Sequence, residues 1–163
     1  MIFKTFWRNK TKETDKKTDT INQLDSFKYK TTIETRFADF DMMGHVNNAV
    51  YFTFLEIART KYWKQAIGWD WKKTGVVIAN ASLDYITPIF IEDKIHIYVR
   101  TSRIGKSSFD LEYLLVKTKN NEEIVCSKGK TTCVAFDYQI KTSAPIPADE
   151  RNKMLAFEQL DNY

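Results

Sequence analysis

Apolar residues along this chain change their period twice. From Tyr29 to Phe40, in YKTTIETRFADF, they alternate, with Ile33, Thr35 and Phe37 on one side, and this predicts a strand. From Ala49 to Ile67 the spacing is helical, because Tyr51, Phe54, Leu55, Ala58 and Tyr62 recur at three- and four-residue steps. Phe52 and Trp63 add apolar surface on a second side, leaving only a narrow charged stripe of Glu56, Arg59 and Lys64. A helix apolar over so much of its circumference is expected to be enclosed by the rest of the protein. Gly68 follows where a C-terminal cap belongs.

Beyond WDWKKTG the texture becomes that of strands. VVIANASLDYI, KIHIYVRTSRI, SSFDLEYLLVKT and IVCSKGKTTCVAFD are strand-length runs or slightly longer. They are separated by Thr87-Pro88, Gly105 and the KNNEE turn. APIPADERNKMLAFEQL is a proline-led segment that ends in a short helix. One strand, one long helix and then four strands, with no crossover helices between them, predict an α+β fold. Its sheet is mainly antiparallel and curls around the helix.

The 163 residues fit one domain. The expected organisation is an N-terminal extension over residues 1–25, partly disordered for want of any sustained period, a domain over 26–140, and a C-terminal segment over 141–163 with its short helix. Hydrophobic residues at 43% and charged residues at 28% describe an ordinary globular protein that needs no metal or disulfide staple. The net charge of +4 gathers near the start, at Lys4, Arg8, Lys10, Lys12, Lys16, Lys17, Lys28 and Lys30. Further on, both signs mix without a basic stripe, so nucleic acid is not an expected partner. Cys126 and Cys133 have no metal or redox spacing, and no metal site is expected. MIFKTFW is broken by Arg8 and Lys10 before it reaches the roughly 7–15 apolar residues of a secretory signal. No run approaches the ~18 apolar residues of a membrane span. The expectation is a cytoplasmic protein without membrane insertion.

Candidate chemistry concentrates in DMMGHVNN, at the junction of the first strand and the helix. Gly44 permits a turn there, and Asn47 or Asn48 suits a helix N-cap. The first-turn amides around Asn48 have no intrahelical acceptor and carry the positive end of the helix dipole. Such an end stabilises an oxyanion when substrate reaches it. Asp41 lies a few residues upstream, and His45 offers a donor or acceptor near neutral pH. A carboxylate beside such a helix end suits hydrolysis of an activated acyl group, a thioester in particular. No Ser or Cys stands in a nucleophile-elbow context. Each residue also has a structural reading. Asp41 closes a turn, His45 packs, Asn47 and Asn48 cap the helix, and Glu56 pairs with Arg59 instead of acting as an alternative base.

ADFDMMGHVNNAVYFTFLEIAR resembles the signature of hotdog-fold acyl-CoA thioesterases of the 4-hydroxybenzoyl-CoA thioesterase type. Its HVNN..Y portion is also similar to plant acyl-ACP thioesterases. The resemblance covers about residues 29–137, and the order of elements agrees with it. It implies a hotdog fold, with Asp41 as the catalytic carboxylate and the backbone N–H of Asn48 polarising the thioester carbonyl. His45 matches the His of the plant motif, but Met43 stands where that motif has Asn. Gly44, Tyr51 and Glu56 join the candidate substrate-binding set, and Met42, Met43, Tyr51 and Phe54 would shape an acyl pocket. The resemblance also implies a homodimer, possibly a homotetramer, with sites at the subunit junction. It places the CoA arm near TSRIGKSS, where Arg103 and Lys106 would meet phosphates and Ser107 or Ser108 the pantetheine; the alternative there is a solvated basic turn. The substrate implied is an acyl-CoA or acyl-ACP, and no cofactor is needed because CoA is part of the substrate. The other functions weighed are a non-catalytic acyl-thioester binder and a hotdog dehydratase.

Overall fold

The computed structural model describes residues 23–160 except Lys73. The Lys-rich stretch expected to be partly disordered falls almost wholly on residues 1–22, outside the described residues. Strand β1 spans Tyr29–Ile33, helix α1 Asn48–Tyr62, β2 Gly75–Tyr85, β3 Lys94–Ile104, β4 Ser108–Lys119, β5 Glu122–Asp137, β6 Thr142–Ser143 and helix α2 Ala148–Glu158. All pairings are antiparallel, in the order β1-β3-β4-β5-β2, with the short β6 on β5.

The first strand is shorter than its alternation suggests. It stops at Ile33, and Phe37–Asp39 form one 3-10 turn. The turn forms because Asp39, buried at 2% exposure, accepts hydrogen bonds from the Arg36 amide at 2.7 Å and the Arg36 guanidinium at 2.8 Å. Burial alone would push the Asp39 carboxyl up, but these donors bring it below the usual carboxylate range. Phe37, expected on one face of the strand with Ile33 and Thr35, lies beyond the strand and is turned out to 86% exposure.

Helix α1 buries Tyr51, Phe54, Leu55, Ala58 and Tyr62, the set its periodicity marks. Asn47 caps it, its side chain accepting from the Ala49 amide at 3.0 Å. A π turn over Trp63–Ile67 extends it to Gly68, whose φ of 67° is the left-handed conformation glycine supplies cheaply. The expected full enclosure is only partial, since Phe52 and Ile57 remain exposed on the outer side. Gly129 of β5 lets the helix approach closely; a Cβ there would lie 3.0 Å from Leu55 Cδ1.

Helix α2 packs where β1 leaves β3 uncovered. Glu158 Oε1 accepts from the Thr101 amide of β3 at 3.0 Å and from the Tyr62 hydroxyl of α1 at 2.6 Å. At the other edge, β2 pairs with β5 alone among the described residues, and Ile78 to Ser82 are all exposed. No helix among the described residues is long and apolar enough to cross a membrane.

Candidate active site

Residues 39–47 form a small hairpin that leads directly into α1. Phe40 and Val46 bridge antiparallel, and at the base the Asn47 amide donates to Asp39 O at 2.9 Å. At the tip the Asp41 amide donates to His45 O at 2.8 Å and the Gly44 amide to Asp41 O at 3.0 Å, with Gly44 at φ 76°. The exposed Asp41 carboxylate folds onto this tip, its Oδ1 accepting from the Met43 amide at 2.8 Å and the His45 amide at 3.1 Å. Oδ2 has no hydrogen-bond donor among the described residues. Asp41 therefore closes a turn, as its structural reading has it, and does so with only one of its two carboxylate oxygens.

Two of the first amides of α1 are already used. The Ala49 N–H goes to Asn47 Oδ1, and the Val50 N–H to Asn47 O at 2.9 Å. The Asn48 N–H has no acceptor among the described residues, and Asn48 is exposed. Asn47, not Asn48, supplies the cap. The His45 ring is half-buried and stands edge-on to Phe90, centroids 4.8 Å apart, so its backbone and not its imidazole touches Asp41.

Tyr85 carried no local signal in the sequence but belongs to this site. From the end of β2 its hydroxyl donates to Asn48 O at 2.8 Å, and its ring meets Tyr51 edge-on at 5.0 Å. Tyr51 itself is buried, which pushes its hydroxyl up to about 12. Met42 and Met43 are exposed while Tyr51 and Phe54 are core residues, so these four do not enclose an acyl pocket within one chain. A depression of about 220 Å³, lined by Phe27, Arg100, Glu112 and Lys130 among others, contains none of the candidate site residues.

Glu56 is not enclosed. It stands in solvent with a loose 3.8 Å contact to Arg59, as the structural reading had it. The Arg103–Ser108 hairpin lies at the far end of β3 and β4 from Asp41. Lys94, next to the 86–93 loop that meets His45, pairs with Thr118, whereas Ile104 pairs with Phe109. The intervening strand is about 30 Å long. Arg103 is held by Asp110 in a two-point pair at 2.9 and 3.0 Å. Ser107 and Ser108 accept backbone bonds from Ala135 and Gly105. Lys106 is exposed.

Thiol chemistry finds no purchase here. Burial pushes Cys126 up to about 11 and Cys133 up to about 12, so both remain protonated and unreactive. Among the described residues no group of three or more His, Cys, Asp or Glu is placed to hold a metal.

The thioesterase-like superfamily matches residues 35–155 of the chain. An uncharacterized protein of Bacillus subtilis, YsmA, is 30% identical over 131 residues, covering 80% of this chain and 87% of that protein. The long-chain acyl-CoA thioesterase FadM of Escherichia coli is 25% identical over 127 residues, covering 76% and 95%. A thioesterase of Thermus thermophilus, solved with coenzyme A and zinc, superposes with a TM-score of 0.71 at 34% identity, covering 82% and 96% of the two chains.

Proposed function

The chain belongs to the thioesterase-like superfamily, and from that membership we propose that it hydrolyses an acyl-CoA to the free acid and coenzyme A, with Asp41 as base or nucleophile and the Asn48 amide as oxyanion donor. Its curled antiparallel sheet around one long helix is the hotdog fold, and the chain is a thioester hydrolase. One observation carries the assignment of residues. Asp41 is pinned through Oδ1 on the same hairpin whose base delivers the acceptor-free Asn48 N–H.

In the water route Asp41 Oδ2 takes a proton from water, and the oxygen adds to the thioester carbon. The carbonyl electrons move to oxygen, which the Asn48 N–H holds at the positive end of α1. Collapse breaks the C–S bond, and the CoA thiolate leaves and is protonated. In the nucleophile route Oδ2 itself attacks, expels the thiolate, and leaves an anhydride that water opens. Both routes use the same two groups.

The substrate is held between two copies of the chain. Ser108 is level with Val134, and Val134 with Val77, so the Arg103–Ser108 hairpin sits near the Gly75 end of β2. The Asn48 amide sits at the Tyr85 end. Antiparallel pairing of two β2 edges brings the hairpin of one copy to the Asp41 turn of the other. Lys106 then meets CoA phosphates across the boundary, and the exposed Met42, Met43 and Ile86 are covered.

The test is thiol release from a panel of acyl-CoAs and an acyl-ACP. Asp41→Asn keeps an acceptor for the Met43 and His45 amides but puts NH2 where the reactive oxygen was. It is expected to lose roughly 10²–10⁴-fold in kcat while folding normally. Release undiminished in Asp41→Asn contradicts the assignment.

A further inference from the structure

We propose that Lys117, with Asp93, is a positioning residue: the pair clamps the 86–93 loop and through Phe90 fixes the turn that carries Asp41. The Lys117 side chain lies on the inner face of β4 opposite Ile95, at 9% exposure, and Asp93 is at 13%. Its ammonium donates to Asp93 Oδ2 and to Pro88 O, both at 2.8 Å, and stands 5.2 Å from the centre of the Phe90 ring. Asp93 Oδ2 also accepts from the Phe90 amide at 2.9 Å, while the Asp93 amide donates to Phe90 O at 3.1 Å. The start of the loop is tied down separately, where the Ile86 and Thr87 amides both donate to Cys126 O.

This fixed loop is the surface on which the catalytic hairpin rests. His45 and Phe90 form an antiparallel bridge and an edge-on ring pair, and the Val46 amide donates to Ile89 O at 2.9 Å. The His45 amide in turn holds Asp41 Oδ1. A continuous path therefore runs from Lys117 Nζ through Asp93, Phe90 and His45 to the carboxylate.

Stability alone is a poor reason for an ammonium at this place. A buried ion pair rarely stabilises more than apolar side chains of similar volume, and the flanking Ile95 and Leu115 are apolar and fully buried. What an apolar side chain cannot supply is direction. Charge-assisted donors aimed at one carbonyl and one carboxylate hold a loop in a single geometry.

The kinetic part of the test rests on the thioesterase reading; the spectroscopic part does not. Lys117→Met removes the clamp but leaves Asp93 buried and unpaired. The double variant with Asp93→Asn removes both charges, and so guards against simple failure to fold. Each is assayed for kcat and KM on an acyl-CoA, and the imidazole Cε1–H resonances are recorded by NMR. The chain has two histidines. His96, hydrogen-bonded to Thr32 Oγ1 at 3.1 Å on the other face of the sheet, is the internal reference for His45.

In both variants kcat is expected to fall roughly ten- to hundredfold, as a displaced reacting group would require, with little change in KM. The His45 resonance shifts as the Phe90 ring moves, and that of His96 stays. A folded double variant whose His45 resonance is unmoved overturns the proposal, as does an unchanged kcat or a loss confined to KM. An inert wild-type protein overturns the thioesterase reading instead, and the His45 resonance still decides the clamp.

Discussion

Asp41 commits one carboxylate oxygen to its own turn, and in the proposed mechanism the other acts on the substrate. Gly44 is what lets the turn close. At φ 76° it occupies left-handed space, and a Cβ there would meet nothing within 4 Å. A side chain at this point therefore faces a conformational cost without a steric one. Gly44→Ala is expected to lower stability by about 1 kcal/mol, read as a shift in the urea midpoint; a stability equal to wild type would mean the turn relaxes into another form. Asp41, Gly44, His45 and Asn48 could be singled out as candidates from the sequence because they lie close together along one junction. Tyr85, Phe90, Asp93 and Lys117 could not, because they reach the junction only through sheet pairing, and no local spacing encodes that. The sequence left the cap open between Asn47 and Asn48, which are equally suited by type, and only the backbone separates them.

Among the elements, α1 was the most readable. Its three- and four-residue spacing marks the five residues that it buries within the spans of Asn48–Tyr62. What periodicity could not say was whether the chain itself covers the second apolar side, and Phe52 at 40% exposure answers that it does not. The alternation after Ile33 misled for a different reason. A local ion pair between Arg36 and Asp39 closes a turn before the strand pattern runs out. The far end of the β3–β4 hairpin carries its own electrostatic prediction. Hydrogen bonds from Arg103, then from Lys130 and Thr132, hold Asp110 down to about 2, against an ordinary 3.8. A carboxyl whose folded value is depressed contributes stability above its unfolded value and loses it as pH falls through the folded one. Acid titration of the unfolding midpoint should therefore show a loss that develops between about 3.8 and about 2, and Asp110→Asn should flatten that part of the curve. A wild-type midpoint constant across this window would contradict the assignment.

On the scale of the whole molecule, the proposed site draws on two copies of the chain. Among the described residues, the 11-residue β2 has no strand on its outer edge, and long exposed edges are normally protected or used for association. Pairing of two such edges accounts at once for the exposed strand, the exposed Met42 and Met43, and the distance of the basic hairpin from Asp41. Ile78, 40% exposed on this edge, is the position to test. Ile78→Lys places a charge where the second copy would sit, and light scattering should show the wild-type dimer shifted toward monomer, with KM for acyl-CoA raised. A wild-type protein that is monomeric at assay concentration would contradict this arrangement.

The central claim is that one backbone amide polarises the thioester, and a single substitution isolates it. Asn48 is the first residue of α1, where proline fits a helix well. Asn47 before it, at φ −59° and ψ 136°, already has the extended conformation that a residue preceding proline adopts. Asn48→Pro thus removes the N–H with little disturbance of the helix, and Asn48→Ala removes the side chain while keeping the N–H. The measurement is kcat for thiol release by the two variants at matched unfolding midpoints. The proline variant should be slower by roughly 10²–10³-fold, with the alanine variant near wild type; equal rates would contradict the account.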